Sequence, residues 1–155
     1  MVTVRPTILF LVFAAFVVGC GSERQVSKDN LAKMAGGSVK PVTSIKGKVL
    51  IDGTPTAGVN IYLYGTDGAT VVTQTRTNAD GTYCWSTYEQ CDGLTAGDYK
   101  LTFKHIPQQK QNDRDQKEDD QLKGRYANPA KTEFKLSVAS DGKAQENVDY
   151  ELKSK

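Results

Sequence analysis

The sequence predicts an all-β sandwich, and two patterns carry that prediction. Seven short runs between Ile45 and Leu152 alternate apolar and polar residues with a period of two. This alternation is typical of antiparallel strands that bury one face. Turn pairs such as Asp52-Gly53 and Asp80-Gly81 separate the runs and supply residues that tolerate positive φ. No stretch after residue 42 has helical periodicity, so we expect seven antiparallel strands.

Each of the seven runs has one apolar face that we expect to point inward. The third run is rich in Thr and is the weakest of the set. In the fourth run, Tyr83 and Trp85 share the inward parity, which places Cys84 on the outer face. The runs are residues 45–51, 59–64, 71–77, 83–85, 99–104, 133–138 and 147–152.

The first twenty residues resemble the leader of a bacterial lipoprotein. One positive charge, Arg5, precedes an apolar run over residues 8–18, a length that fits a secretory signal peptide. The tetrapeptide Val-Val-Gly-Cys that ends at Cys20 is similar to the lipobox. That resemblance implies a lipid (palmitate-type) anchor on Cys20, and Gly21 in place of Asp favours the outer membrane. An ordinary signal peptide or an uncleaved anchor is the alternative.

These features divide the chain into three parts. We expect a signal peptide over residues 1–19, a lipidated cysteine and flexible tether over 20–42, and the β-sandwich over 43–155. The formal net charge is +2, and removal of the leader lowers it by the one charge of Arg5. So balanced a charge argues against a nucleic-acid partner.

Two cysteines remain once Cys20 carries the anchor. Cys84 and Cys91 form an even pair in an oxidising compartment, where we expect a disulfide. Two reduced thiols are the alternative. Because Cys84 has outward parity, the bridge would be a clasp on the surface of the strand.

Three motifs resemble the carboxypeptidase regulatory-like domains. They are a Gly-Lys-Val strand with an Asp-Gly-Thr-Pro turn, an Asp-Gly turn that leads into Tyr83, and a turn Gly before the strand that starts at Tyr99. The resemblance implies a transthyretin-like (prealbumin-like, Ig-like) Greek-key sandwich over about residues 45–152. It says little about function, because the fold hosts adhesins, pilus subunits, binding modules and domains appended to peptidases.

Catalysis finds no support in the residue pattern. The single histidine, His105, ends a strand and has no Gly-flanked nucleophile beside it. We therefore expect no enzyme, no catalytic residue, no cofactor and no metal. Between Pro107 and Gly124 lies a polar segment that we expect to be a solvated loop, with partner binding as an alternative. A calcium site at Asp113, Asp115, Glu118, Asp119 and Asp120 is a weaker alternative, because basic residues interrupt the acidic ones.

Two function classes follow. The first is a non-catalytic envelope lipoprotein whose sandwich binds or scaffolds proteins through the 107–124 loop or an edge strand. The second is a module that binds carbohydrate or a small ligand through Tyr62 and Tyr64, which lie on the outward parity of their strand. The expected partners are the membrane, through Cys20, and an envelope protein or a glycan.

Overall fold

The computed structural model of the protein describes Gly36, residues 39–107 and residues 119–155. These residues form ten strands and no helix. The strands are β1 (Val42–Thr43), β2 (Lys46–Ile51), β3 (Thr54–Pro55), β4 (Val59–Tyr64), β5 (Val71–Arg76), β6 (Thr82–Cys84), β7 (Leu94–Thr95), β8 (Gly97–His105), β9 (Lys135–Val138) and β10 (Tyr150–Leu152).

Two four-stranded sheets account for eight of the strands. In the first sheet β2 is central: β10 pairs with one of its edges, and β3 and β6 pair with different parts of the other. The second sheet has the order β5-β4-β8-β9 and is antiparallel throughout. The two short strands β1 and β7 pair with each other. The chain crosses between the two sheets several times, so each sheet joins strands that are distant in sequence.

The predicted fold class is confirmed, with two differences in detail. All seven predicted runs appear as strands, but β1, β3 and β7 were not predicted, because two residues are too few to show a period. The second difference is the pairing of β10 with β2, which is parallel. Parallel neighbours need a long connection, and nearly the whole domain separates these two strands.

The core lies between the two sheets and follows the predicted parity. Ile51, Tyr99, Phe134 and Val148, expected inside, are only partly buried and pack against its margin. Residues from β2, β6 and β10 meet residues from β4, β8 and β9 across the layer. The largest fully buried side chains are Trp85, Phe103, Ile45, Ile61, Leu63, Leu94, Leu101 and Leu152.

Gly47 marks the point where the segment before β10 passes β2. A Cβ atom at this position would lie 1.9 Å from the carbonyl oxygen of Val148. The Val148 N–H donates to the Lys46 carbonyl at 3.0 Å, so the two backbones are held together where they approach. Only a residue without a side chain allows this approach.

Replacing Gly47 tests this close passage. We expect Gly47→Ala to lower the free energy of unfolding by about 1–3 kcal/mol, because the added methyl group displaces backbone atoms rather than a flexible side chain. Urea titration measures the loss. Gly65→Ala is the matched control: its Cβ would meet only the Asp67 carboxylate, at 3.3 Å, and a change within about 0.5 kcal/mol is expected. Equal stabilities for the two variants would contradict the argument.

Tyr83 and Tyr150 are stacked in the core, with ring centroids 6.2 Å apart. The Tyr83 hydroxyl donates to the Val148 carbonyl at 2.6 Å. The Tyr150 hydroxyl is buried and has no hydrogen-bond partner among the described residues. Burial raises the pKa of Tyr150 to about 12 and raises the pKa of Tyr83 further. The two hydroxyls therefore differ in what their removal would do.

Removing each tyrosine hydroxyl in turn gives a matched pair of variants, Tyr83→Phe and Tyr150→Phe. We expect Tyr83→Phe to lower the free energy of unfolding by about 1 kcal/mol, because the Val148 carbonyl loses its donor. Tyr150→Phe removes a buried polar group that has no partner, so we expect no loss or a small gain. Urea unfolding of both variants gives the comparison. A larger loss for Tyr150→Phe than for Tyr83→Phe would contradict this account.

Candidate functional site

The cysteine pair lies on the surface of the first sheet, as the parity predicted. The Cα atoms of Cys84 and Cys91 are 5.2 Å apart, within disulfide distance. Cys84 is half-buried, whereas its neighbours Tyr83 and Trp85 are buried. Asp92 holds the intervening turn, since its carboxylate accepts three backbone N–H groups at 2.7–3.1 Å. A bridge closing so short a loop contributes about 2.5 kcal/mol by the chain-entropy relation.

Tyr62 and Tyr64 lie on the outer face of β4, and both are half-buried. Neighbouring strands place Gln74 and Thr102 opposite Tyr62. The Lys104 ammonium sits 5.7 Å from the centroid of the Tyr62 ring, a cation–π distance. Part of the Tyr62 ring is thus already in contact with the protein, which reduces the area of the ring on which a sugar can stack.

The 107–124 segment is described only at its ends. Residues 108–118, which include three of the five acidic residues of the calcium hypothesis, lie outside the described residues. The Asp120 carboxylate accepts the backbone N–H groups of His105, Leu122 and Gly124 at 2.9–3.0 Å. Gln121 N–H in turn donates to the His105 carbonyl at 2.9 Å. The two ends of the segment are therefore joined directly to each other.

His105, at the end of β8, is half-buried beside a cavity of about 190 Å³ that Thr56 and Ser154 also line. Burial lowers the pKa of His105 below its ordinary value, while a hydrogen bond from its ring to the Ala57 carbonyl opposes the shift. The Ser154 hydroxyl donates to the Asp52 carboxylate at 2.5 Å. The proton of this hydroxyl is thus directed at Asp52 and not at the imidazole. Within the described ranges, no group of three His, Cys, Asp or Glu residues is placed to hold a metal ion.

The edge strand β5 carries the most exposed apolar surface. It ends the second sheet, and no described strand pairs with its outer side. Val71 and Val72 are 42% and 57% exposed, and only one other large hydrophobic of the described residues, Val39, is comparably exposed. A shift in the β4–β5 register at Leu63/Tyr64 accompanies these two valines. The sequence showed this strand as the weakest run but did not show that it would be an open edge.

The opposite edge of the second sheet is partly covered. The Gln145 side chain donates to the Ser137 carbonyl of β9 at 3.1 Å. The Thr43 hydroxyl donates to the Ala139 carbonyl just after the same strand at 3.4 Å. The two edges of this sheet are therefore unequal, and β5 is the more accessible one.

The predicted lipidation site, Cys20, lies outside the described residues, as do the signal peptide and most of the tether. Across residues 39–107 and 119–155, no helix is long and apolar enough to span a membrane.

Comparisons with known proteins find only distant similarity to solved structures. No protein-family model and no curated protein match the sequence. A DUF3823 family protein from Bacteroides ovatus matches at 16% identity and TM-score 0.42, over 70% of this chain and 44% of that structure. The major pilin subunit of Bacillus cereus matches at 13% identity and TM-score 0.42, over 72% of this chain and 29% of the pilin chain. Klebsiella pneumoniae 5-hydroxyisourate hydrolase matches at 16% identity and TM-score 0.39, over 75% of this chain and 89% of the hydrolase chain.

The prediction that the chain is not an enzyme is contradicted, because an enzyme, the hydrolase, is among the similar structures. At 16% identity this likeness is one of fold and shows no catalytic activity in the present chain. The sequence argument was wrong because it excluded catalysis from the lack of short motifs. One fold hosts many functions, and a site assembled from distant strands leaves no such motif.

Proposed function

We propose that the domain is a protein-binding module that adds an extended segment of a partner protein to the β5 edge. The observation that carries the proposal is the exposure of Val71 and Val72 on a strand whose outer side has no partner among the described strands. Every second residue of such an edge presents its N–H and C=O groups outward. An added strand satisfies these groups, and the valines supply apolar contact.

The chemistry of the edge defines the partner. β5 reads Val-Val-Thr-Gln-Thr-Arg, and its only charge is Arg76 at the far end. The Arg76 guanidinium already donates to the Ile106 carbonyl at 2.6 Å. A partner strand with an apolar residue facing Val72 and a small polar residue facing Gln74 fits this surface. In strand addition, the backbone ladder gives affinity and the side chains give specificity.

Site-specific photocrosslinking in native cells tests the edge. We expect a photoreactive residue at Val72 to capture a partner, and the same residue at Lys135, on the partly covered β9 edge, to capture none. Gln74→Pro should abolish the capture, because the Gln74 N–H faces the open side of β5, whereas the odd-numbered residues of β5 bond to β4. In the purified complex, the β5 amides should exchange hydrogen more slowly than in the free domain. Capture at Lys135 alone, or unchanged exchange in β5, would overturn the proposal.

A loop variant separates the edge from the 107–124 segment. Residues 108–118 can be replaced by a short Gly-Ser linker, because the backbone N–H of His105 and the Asp120 carboxylate are only 2.9 Å apart. Capture at Val72 should survive this replacement. Loss of the partner in this variant would assign binding to the loop and would also count against the β5 edge.

The carbohydrate alternative has weaker support. Lys104 already contacts the Tyr62 ring, and both tyrosines are half-buried, so the aromatic surface open to a sugar on this face is small. A glycan-array signal that Tyr62→Ala/Tyr64→Ala abolishes and Gln74→Pro leaves unchanged would favour this alternative.

We also propose that the module is an envelope lipoprotein, held at the membrane through Cys20. The support is the resemblance of Val17 to Cys20 to a lipobox after an apolar leader. Anchoring would place the partner in the envelope.

Intact mass of the protein from its native membrane tests the anchor and the clasp together. We expect residues 20–155 plus acyl groups, with a gain of two hydrogens on reduction of Cys84 and Cys91. Cys20→Ser should give an unacylated protein, and Cys84→Ser/Cys91→Ser should remove the mass change on reduction. An unacylated full-length chain with free thiols would overturn both assignments.

A further inference from the structure

A cavity of about 450 Å³ lies on the first sheet, away from the β5 edge. Lys46 and Lys48, on the exposed face of β2, form its middle. Glu146, Asn147 and Asp149, on the segment that leads into β10, form one wall. The other wall comes from the β6 side and includes both cysteines of the clasp. Cavities of this size accommodate small ligands.

The two lysines of β2 are not paired with carboxylates. The ion pairs of the described residues join Lys143 to Asp141 and Lys153 to Glu151, and neither includes Lys46 or Lys48. Residues two apart on a strand point to the same face and are about 7 Å apart. The cavity therefore presents two neighbouring ammonium groups to whatever enters it.

The carboxylates of the cavity stand on the facing wall, and none of them forms an ion pair with Lys46 or Lys48. Asp149 Oδ1 accepts the backbone N–H of Lys48 at 2.7 Å, which fixes this carboxylate at the rim. Glu146 is exposed on the same segment. Asn147 between them has a positive φ of 62°, so the backbone bends at this wall. The result is a surface with positive charge in the middle and negative charge at one side.

Uncharged groups complete the lining. Thr82 and the half-buried cysteines lie across from the carboxylates. Asn78 is exposed on the same side, and its amide donates to the Thr82 hydroxyl at 3.1 Å. An apolar side chain of a ligand can contact the cysteine sulfur atoms here, away from both charged groups.

We propose that this cavity binds a short peptide with both termini free. Its carboxylate lies over Lys46 and Lys48, its ammonium group faces Glu146 and Asp149, and a side chain contacts the cysteines. A simple anion would meet the two carboxylates, and a simple cation would meet the two lysines. A ligand with separated opposite charges satisfies both walls at once, which is the basis of the assignment.

Binding of the dipeptide Ala-Phe to the purified protein, followed by NMR titration, tests the site. We expect shifts of the backbone amides of residues 46–48 and 146–149 and none in β5. N-acetyl-Ala-Phe, which lacks the ammonium group, and Ala-Phe amide, which lacks the carboxylate, should each bind at least about tenfold more weakly. No shift at millimolar Ala-Phe would overturn the proposal, and so would equal binding of either blocked form.

Charge variants identify the residues responsible. Lys46→Met/Lys48→Met should weaken Ala-Phe binding at least about tenfold, and Glu146→Gln should weaken it while leaving Ala-Phe and its N-acetyl form closer in affinity. Lys123→Met/Lys135→Met is the matched control, since both lysines are exposed and outside the cavity. Equal losses in the test and control pairs would mean a general charge effect and would overturn the site. Because Gln74→Pro removes only a donor on the open side of β5, it should leave Ala-Phe binding unchanged, so the two proposals fail separately.

Discussion

The parallel contact between β2 and the last part of the chain is the constraint on which the first sheet depends. The Val148 carbonyl lies against Gly47 and accepts a hydrogen bond from Tyr83, so three distant parts of the sequence meet at one backbone oxygen. If this passage were wider, β10 could not complete the sheet, and Leu152 would not be buried. The same passage bends the chain at Asn147 and so sets the wall of the neighbouring cavity.

The local pattern of the sequence predicted the strands well, because alternation records which face of a strand is buried. It placed Tyr83 and Trp85 inside and Cys84 outside, and the structure agrees. It did not predict β1 and β7, whose pairing joins the end of the expected tether to a turn. Nor did it predict the parallel direction of β10, because alternation is the same in both directions.

The candidate surfaces were predictable only in part, for a related reason. Parity showed that Tyr62 points outward, but it did not show that Lys104 of β8 covers its ring. The cavity on the first sheet brings Lys46 together with Glu146, which are far apart in sequence and share no motif. The open edge of β5 is a property of the order of strands in the sheet, and strand order depends on long-range pairing.

The junction between His105 and Asp120 has a consequence for how the domain tolerates change. The chain leaves and re-enters the sandwich at two points already joined by backbone and carboxylate hydrogen bonds. Added length between such points raises the entropic cost of closing the loop only slowly, by about 0.6 kcal/mol for each doubling of the loop length. The junction should therefore tolerate insertions, so peptides of varied length and sequence can be displayed there without repacking the core.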